Sequence, residues 1–570
     1  MKEFPFLVSV VCFSLAMISP LLSITPPPQS NAGIIDKQIQ EEYQVETLSP
    51  TKDIPVLDVD IPDKTFSVPD GAMVYIRSFE FEGNTILSQA QLQQIAAPYT
   101  ERKLFGSDIK ELCRLIQNTY AEKGYILTRV FPPVQDIRDA TLKIEIIEGT
   151  LGEVEIRGNK HYSTSFIRKY FSSQVGEIVN YNSILRSLLL LNEFDDLSVG
   201  AVFKKGKEKG SADLVIVAKD KLPVHIYADY NTYGSNLTTL GRTGLRVNAG
   251  NLITSGDKLS VLEVVGYPVD HLNFTNAIYS IPLTHNGMHM DISYLFSMFK
   301  VNRYNSYDLH GSSNIAGFRI HQALQRSRRF STDVRLGFDY KQLLNKQQNI
   351  TYSYDKLRVL SVGGNLDFID SFQGRLIADF NFYAGIPNFL GGLHAVDPQC
   401  SRYGAGGRFF IGNLDVRRLQ RLPYDSLLIF SASMQGTPNK LPISQQIYIG
   451  GIDNVRGYRL STALGDNGYY GTLEYRFPIP YLKDHKIPWT KNRTFKDFFQ
   501  FTCFSDTGAV FLNGAVSGEP APTYITSVGV GLRIYNLWRF DISYDSGFPL
   551  TQDQKTATAI QYVKVGLRIL

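Results

Sequence analysis

The sequence predicts a transmembrane β-barrel of about 16 antiparallel strands, preceded by two small α+β domains. Three observations lead to this prediction. The N-terminus carries an apolar segment typical of exported proteins, and residues 73–221 contain an internal repeat of mixed helices and strands. From about residue 222 the spacing typical of helices is absent, and apolar and polar side chains alternate over about 350 residues.

The N-terminal segment, residues 1–24, is predicted to be a signal peptide. A charged start is followed by an almost unbroken apolar stretch from Phe4 to Ile24, which prolines and small residues close. An uncleaved membrane anchor is the alternative, because no clean Ala-x-Ala cleavage site follows. No later stretch reaches the length of about 18 apolar residues that a membrane-spanning helix needs, so any further crossing of a bilayer must use strands.

Residues 25–72 are rich in proline and acidic side chains, a composition typical of a tether. Within 34–48, Ile35, Ile39 and Tyr43 are spaced by four and permit a short helix with one weak apolar stripe. Such a helix would be marginal in isolation. The composition favours a solvated linker, and the alternative is a helix that plugs or docks into another part of the protein.

Residues 73–149 and 150–221 repeat the order strand, helix, helix, strand, strand. The turns at Gly83-Asn84 and Gly158-Asn159 occupy matching places, about 75 residues apart, which indicates two copies of one module. The predicted strands are Val74–Phe81, Ile126–Val130, Thr141–Ile147, Leu151–Ile156, Leu197–Phe203 and Ala212–Ala218, and the predicted helices are Ser88–Ala97, Ser107–Glu122, Thr164–Phe171 and Ile184–Leu191.

Residues 222–570 are predicted to form the barrel. In the stretch 537–545, aromatic and aliphatic side chains share one strand face and charged or small ones share the other. A soluble β-sandwich also shows alternation, so three further points favour the barrel. The strands are near the ten residues of a tilted crossing, the apolar faces are rich in aromatics, and a last strand at the chain's end lets the sheet close on itself. At about 20–22 residues per strand and loop, this region gives about 16 strands around a polar lumen.

Composition excludes several other classes of function. The net charge of +4 comes from acidic and basic residues that are interspersed along the sequence, so no basic patch of the kind that binds nucleic acid is visible. The aromatic content, with 35 Phe and 32 Tyr but 2 Trp, fits a membrane barrel. Cys113, Cys400 and Cys503 are too few for a disulfide framework, although a Cys400–Cys503 pair is possible. No pattern of catalytic residues or cofactor loops occurs, and His285 and His289 are interpreted as polar surface or lumen residues. We therefore expect no enzyme activity, no cofactor and no metal site.

One glycine-rich segment stands apart, because it lies between predicted strands and contains Val455, Arg456, Gly457 and Tyr458 in succession. About fifty residues later a strand carries three residues of a second motif on one face, Phe504, Asp506 and Gly508. A planar guanidinium confined in a wet lumen needs a carboxylate partner, and glycine allows close backbone approach.

The two motifs resemble the signature loop and the barrel-wall motif of the outer-membrane assembly and secretion superfamily. That resemblance implies that the loop folds into the lumen and that Arg456 pairs with Asp506. The two repeated modules resemble POTRA domains. The blocks Tyr120–Tyr125, Thr128–Asp136 and Leu142–Gly149 are similar to the first such domain of two-partner secretion transporters, which export haemolysins and filamentous adhesins.

The resemblance implies a transporter in the outer membrane with its POTRA-type domains in the periplasm. Its expected partners are a large secreted protein (an adhesin or a cytolysin), outer-membrane lipid, and the barrel-assembly machinery that inserts it. An insertase for other barrels is the alternative, since it shares both motifs, but two modules rather than five argue against it. A passive porin would leave the two modules without a role.

Overall fold

The computed structural model describes residues 30–44, 55–60, 73–137, 139–235, 237–304, 307–487, 493–516, 519, 522–551 and 558–570. The predicted signal peptide lies outside these residues. No helix within the described ranges combines the length and the apolar composition that crossing a bilayer requires.

The described residues that precede the α+β units form one helix and one short strand, which contact different parts of the protein. Helix α1 (Ala32–Gln44) lies inside the barrel, where Ile34, Ile35 and Ile39 are buried. Strand β1 (Leu57–Asp60) joins the sheet of the second α+β unit. Residues 32–44 are therefore a buried helix and not a solvated linker. A helix that would be marginal in isolation is stabilised here by its contacts with the lumen wall.

The first α+β unit packs two helices on a small sheet. Its predicted opening strand, Val74–Phe81, is instead two strands that pair with different partners. The first pairs antiparallel with a short strand at Arg102–Phe105 that the sequence did not reveal, and the second pairs in parallel with the last strand of the unit. The helices bury an apolar face that includes Ile109, Leu112 and Ile116. The elements are β2 (Met73–Ile76), β3 (Ser78–Glu82), α2 (Gln89–Ala96), β4 (Arg102–Phe105), α3 (Gly106–Glu122), β5 (Arg129–Phe131) and β6 (Thr141–Ile147).

The second unit has a four-stranded sheet in the order β1-β8-β9-β7, so the N-terminal strand β1 completes one edge. Its helices pack on the sheet around a core that includes Ile167, Leu188 and Phe203. The elements are β7 (Thr150–Arg157), α4 (Thr164–Lys169), α5 (Tyr181–Leu191), β8 (Leu197–Lys205) and β9 (Ser211–Asp220).

A carboxylate at the end of each unit, buried in the first and partly buried in the second, binds the segment that follows the Gly-Asn turn. In the first unit Glu148 accepts hydrogen bonds from the backbone N–H groups of Thr85 (2.7 Å) and Ile86 (2.9 Å), just after the turn. Burial opposes its charge, but these hydrogen bonds hold the pKa of Glu148 below its usual range. In the second unit Asp220 accepts from the N–H groups of residues 160–162 in the same way, and its pKa is likewise lowered.

The C-terminal region is a closed barrel of 16 strands, in agreement with the predicted number. Every strand is antiparallel to its neighbours, and the first pairs with the last, with Asp229 opposite Gly566. The barrel strands are β10 (Val224–Asn231), β11 (Arg242–Gly250), β12 (Lys258–Gly266), β13 (Leu272–Pro282), β14 (Met288–Tyr304), β15 (Tyr307–Arg326), β16 (Phe330–Gln347), β17 (Ile350–Ile369), β18 (Gly374–Gly385), β19 (Phe409–Leu422), β20 (Ser426–Gly436), β23 (Asn467–Pro478), β24 (Phe499–Phe511), β25 (Thr523–Leu537), β26 (Phe540–Pro549) and β27 (Ile560–Arg568), with β21 (Ile447–Ile449) and β22 (Ala463–Gly465) forming a hairpin between β20 and β23.

The alternation of the sequence corresponds to an outer apolar face and an inner polar one. On β14, Tyr294 and Met298 are half exposed on the outside, whereas Ser297 faces the lumen and donates to Asp36 of α1. The three described cysteines are free thiols. Cys503 is exposed on β24 and Cys400 is buried in the connection between β18 and β19, so the pair suggested from sequence does not form.

Candidate functional site

The connection between β20 and β23 folds back into the lumen instead of projecting outward. Its base is the hairpin β21–β22, and the residues between these two strands, Gly450 to Thr462, are here called the motif loop. The loop is anchored by an apolar cluster that includes Ile449, Val455 and Tyr458 together with Val510 and Ile525 of the barrel wall. Burial of these side chains holds the loop against β24 and β25.

Arg456 lies at the centre of this contact. Its Nε and Nη2 donate to the two carboxylate oxygens of Asp506, at 2.8 and 2.9 Å, and its backbone N–H donates to the same carboxylate at 3.0 Å. Two parallel bonds from a planar guanidinium fix orientation as well as distance. The structure thus brings together the loop arginine and the wall aspartate that sequence reasoning assigned to each other.

Two further carboxylates surround the same guanidinium, and sequence reasoning missed both. Nη1 of Arg456 donates to Glu474 at 2.8 Å and lies 3.6 Å from Asp545. Glu474 is also bound by Arg476, and Asp545 by Arg533, so the arginine belongs to a network of alternating charge on the lumen wall. The signal for them was present, since both are charged lumen-facing positions on strands near Asp506, but it required the strand register.

Phe504 and Gly508 shape the wall around the loop. The ring of Phe504 lies under the guanidinium, 3.4 Å from its central carbon, in the geometry of a cation–π contact. A Cβ on Gly508 would lie 3.1 Å from a methyl group of Val455, so glycine there leaves room for the loop's apolar side chain. The three residues of the wall motif therefore contact the loop directly.

Gly457 and Tyr458 attach the loop to the last three strands of the barrel. Gly457 has φ +88°, and a Cβ there would meet the carbonyl carbon of Gly547 at 2.9 Å, so both backbone conformation and space favour glycine. Its N–H donates to the hydroxyl of Tyr562 at 3.1 Å. The hydroxyl of Tyr458 donates to the carbonyl of Thr526 at 2.8 Å.

Helix α1 lies beside the motif loop in the same lumen. Tyr448 donates its hydroxyl proton to Glu41, Lys37 donates to the carbonyl of Gln446 at 3.2 Å, and Gln38 bonds Ser461. The closest approach is at Gly33, where a Cβ would meet the Cβ of Ser444 at 2.3 Å. The helix and the loop therefore pack on each other and fill the lumen together.

The other side of α1 contacts the barrel wall through polar side chains. Glu42 accepts from Asn231 at 2.6 Å and from Arg242 at 3.3 Å, and Tyr43 donates to Asp229 at 2.9 Å. These contacts tie the helix to the first two barrel strands. A polar lumen wall matches the polar side of the helix, which explains how a helix with only a weak apolar stripe is buried almost all round.

Away from the motif loop, the side chains of His289, Asp291 and His321 lie close together, with one ligand atom of each within 4.8 Å of the other two. His289, interpreted from the sequence as a polar surface or lumen residue, lies on the lumen side of β14 directly opposite His321 on β15.

Comparison with known proteins identifies relatives of both halves of the chain. A profile of the POTRA domain, ShlB-type, matches residues 74–149, and a profile described as Haemolysin secretion/activation protein ShlB/FhaC/HecB matches residues 210–534. The heme/hemopexin transporter protein HuxB of Haemophilus influenzae is 21% identical over 480 residues, which covers 83% of this chain and 82% of HuxB.

Solved structures share the fold. CdiB from Escherichia coli superposes with a TM-score of 0.77 at 18% identity, over 96% of this chain and all of that one. BamA from Haemophilus ducreyi, lacking POTRA domains 1–3, gives a TM-score of 0.51 at 13% identity over 88% of this chain and all of that one. The barrel with preceding α+β units is thus shared with both, and the likeness to CdiB is greater.

Proposed function

The chain belongs to the Haemolysin secretion/activation protein ShlB/FhaC/HecB family, and we propose that its motif loop and helix α1 together gate the passage of a secreted partner protein. The chain is a two-partner secretion transporter of the outer membrane, with its α+β units in the periplasm, and it acts with a large secreted protein. The partner, an adhesin or a cytolysin, enters the lumen from the periplasmic side.

The observation that carries the proposal is the filled lumen. Ile34 and Ile39 of α1 are fully buried inside the barrel, and Arg456 of the motif loop is nearly fully buried. The wall is apolar where it contacts Ile39 and charged where it contacts Arg456. An extended polypeptide cannot pass while both elements occupy the bore. Transport therefore requires that at least one of them moves, and the charge network at Arg456 sets which position of the loop is stable.

Partner recognition is assigned to residues 73–221, by addition of an extended strand to a sheet edge. Strand β1 supports this mode, because the chain's own N-terminal segment already pairs in parallel with β8, with Leu57 opposite Ala201. Main-chain hydrogen bonds depend little on side chains, so a sheet edge can bind extended segments of many different sequences.

A soluble fragment of residues 73–221 is expected to bind the N-terminal region of the partner without the barrel. Isothermal titration calorimetry with that region measures the binding, and a fragment with Gly200→Pro serves as the variant in which β8 is disrupted. Absence of heat with the unaltered fragment would contradict the docking role.

Depletion of the protein in cells separates transport from the alternative function, insertion of other barrels. A transporter's depletion is expected to remove one large protein from the cell surface or medium and to leave the other outer-membrane proteins at normal levels. A general loss of outer-membrane proteins, measured by quantitative proteomics, would favour the insertase instead.

A further inference from the structure

We propose that the barrel contains a site for a divalent transition-metal ion, Zn²⁺ in the first instance, formed by His289, Asp291 and His321 at the periplasmic end of the lumen. One ligand atom from each side chain lies within 4.8 Å of the other two. Imidazole and carboxylate together are a donor set that suits Zn²⁺ and its first-row neighbours.

The strand register brings the three side chains to one face. His289 and Asp291 are two residues apart on β14, and His289 is directly opposite His321 on β15. All three share the face of Ser297, which contacts helix α1, so they point into the lumen. Three ligands from two adjacent strands leave the remaining positions of an ion open to lumen water.

The distance between His321 and Asp291 is compatible with two ligands of one ion. Nε2 of His321 lies 3.1 Å from Oδ2 of Asp291, yet it is buried and makes no hydrogen bond of acceptable geometry within the described residues. Two ligand atoms that are each about 2.1 Å from one Zn²⁺ are about 3.4 Å apart at the tetrahedral angle. The imidazole and the carboxylate are thus spaced as neighbouring ligands are.

A second-layer contact orients the carboxylate. Ser280, opposite Asp291 on β13, donates its hydroxyl proton to Oδ1 at 2.7 Å and leaves Oδ2 turned toward His321. The rings of His289 and His321 are nearly parallel with centroids 4.4 Å apart.

The two neighbouring arginines, Arg319 and Arg326, form their ion pairs with carboxylates other than Asp291. Arg319 is opposite Asp291 in the register, but its guanidinium is 3.9 Å from Asp339. Arg326 is paired with Glu193 and lies 3.8 Å from Asp333. Both of these arginines therefore contact carboxylates other than Asp291, whose negative charge can face a divalent cation.

The position relates the site to the second α+β unit. The turn that precedes β14 carries His285, whose ring centroid is 5.2 Å from that of Tyr170, and Asn286, which accepts from Arg186 of α5. A bound ion would link β14 to β15 at the point where the barrel holds the periplasmic unit.

The test uses the full-length protein in detergent, without a histidine tag and treated with EDTA. Titration with ZnCl₂ by calorimetry is expected to show one tight site, and Co²⁺ is expected to give the visible absorption of a low-coordinate site. His289→Ala, His321→Ala and Asp291→Asn are each expected to abolish binding, and Ser280→Ala to weaken it about 10–100-fold.

The matched control is His310→Ala. His310 is on β15 like His321 but points to the opposite side of the sheet, so this variant should bind Zn²⁺ as the unaltered protein does. Heat-modifiable migration on gels shows that each barrel is folded. Asp291→Asn replaces the carboxylate with an amide of nearly the same size, so this variant should assemble even if the histidine variants do not. It therefore keeps the proposal testable. No binding by the unaltered protein, or binding that survives the three ligand substitutions, would overturn the site.

Discussion

The two elements that fill the lumen are held in different ways. In the motif loop, all three guanidinium nitrogens of Arg456 donate to carboxylates, and its backbone N–H does so too. Around α1, by contrast, Oδ2 of Asp36 and both Nε and Nη2 of Arg242 are buried with no hydrogen-bond partner among the described residues. An unsatisfied buried polar atom costs about 1–3 kcal/mol. The comparison indicates an anchored loop beside a helix that is easier to displace.

The apolar contacts differ in the same direction. The motif loop inserts Val455 and Tyr458 into one cluster with the wall, and two glycines bring its backbone against the strands. Helix α1 distributes its apolar side chains over two separate clusters, one with the wall and one with the loop base. A continuous cluster must be broken all at once, whereas separate contacts can be released one by one.

The substitution Arg456→Ala is expected to have the largest effect. It leaves Asp506, Glu474 and Asp545 facing one another without their shared cation, and removing one partner of a buried pair costs about 3–5 kcal/mol. Export of the partner, measured by immunoblotting of the medium, should fall at least tenfold, while heat-modifiability shows an assembled barrel.

The control for that variant is Arg459→Ala, which removes an exposed arginine of the same loop. Its export is expected to be normal. Unchanged export by Arg456→Ala would show that the anchored position of the loop is not needed for transport, and the contrast between loop and helix would lose its functional meaning.

Ile39→Asp tests whether the helix is displaceable. The new carboxylate would be buried among apolar residues such as Leu262 and Phe274, which disfavours the lumenal position of α1 by several kcal/mol. Single-channel conductance in planar bilayers is expected to rise several-fold, with export retained.

Ile39→Val, which keeps an apolar side chain, should leave the conductance low. If Ile39→Asp instead prevents barrel assembly, then α1 is a structural part of the barrel and not a removable occupant.

Gly457→Ala is expected to have the smallest effect of the three. The methyl group meets the backbone of Gly547, and φ +88° is strained for any residue with a side chain, at a cost of about 1–3 kcal/mol. We expect a partial loss of export and a lower temperature of heat modification. Gly436→Ala, where no atom lies within 4 Å of the new Cβ, should change neither.

The sequence predicted most of the barrel because its physical signal is local. Side chains of a strand alternate between lipid and lumen, so the pattern of β25 and β26 could be recognised without any partner strand. The pairing of Arg456 with Asp506 came from the resemblance of two motifs in their order. The boundaries between the domains and the number of POTRA modules stay predictions, although the repeated carboxylates Glu148 and Asp220 support two related units.

What the sequence could not predict depends on contacts between distant segments. Glu474 and Asp545 are partners of Arg456 only in one strand register, and register is set by the whole sheet. The burial of α1 depends on a lumen that exists only after all 16 strands have closed. The strand predicted at Val74–Phe81 is split at Arg77, which lies between β2 and β3. Its backbone N–H donates to the carbonyl of Ala140, just before β6, and so belongs to neither strand ladder.

Because neighbouring barrel strands are antiparallel, successive turns lie on alternate sides of the membrane, and β10, which begins directly after the second α+β unit, fixes which side is periplasmic. The turn between β17 and β18, around Gln373, lies on the side of the α+β units, whereas the turn at Gln348 and Asn349 lies on the opposite side. An epitope inserted at Asn349 would be reached by an antibody on intact cells. The same epitope inserted at Gln373 would be stained only after the outer membrane is permeabilised.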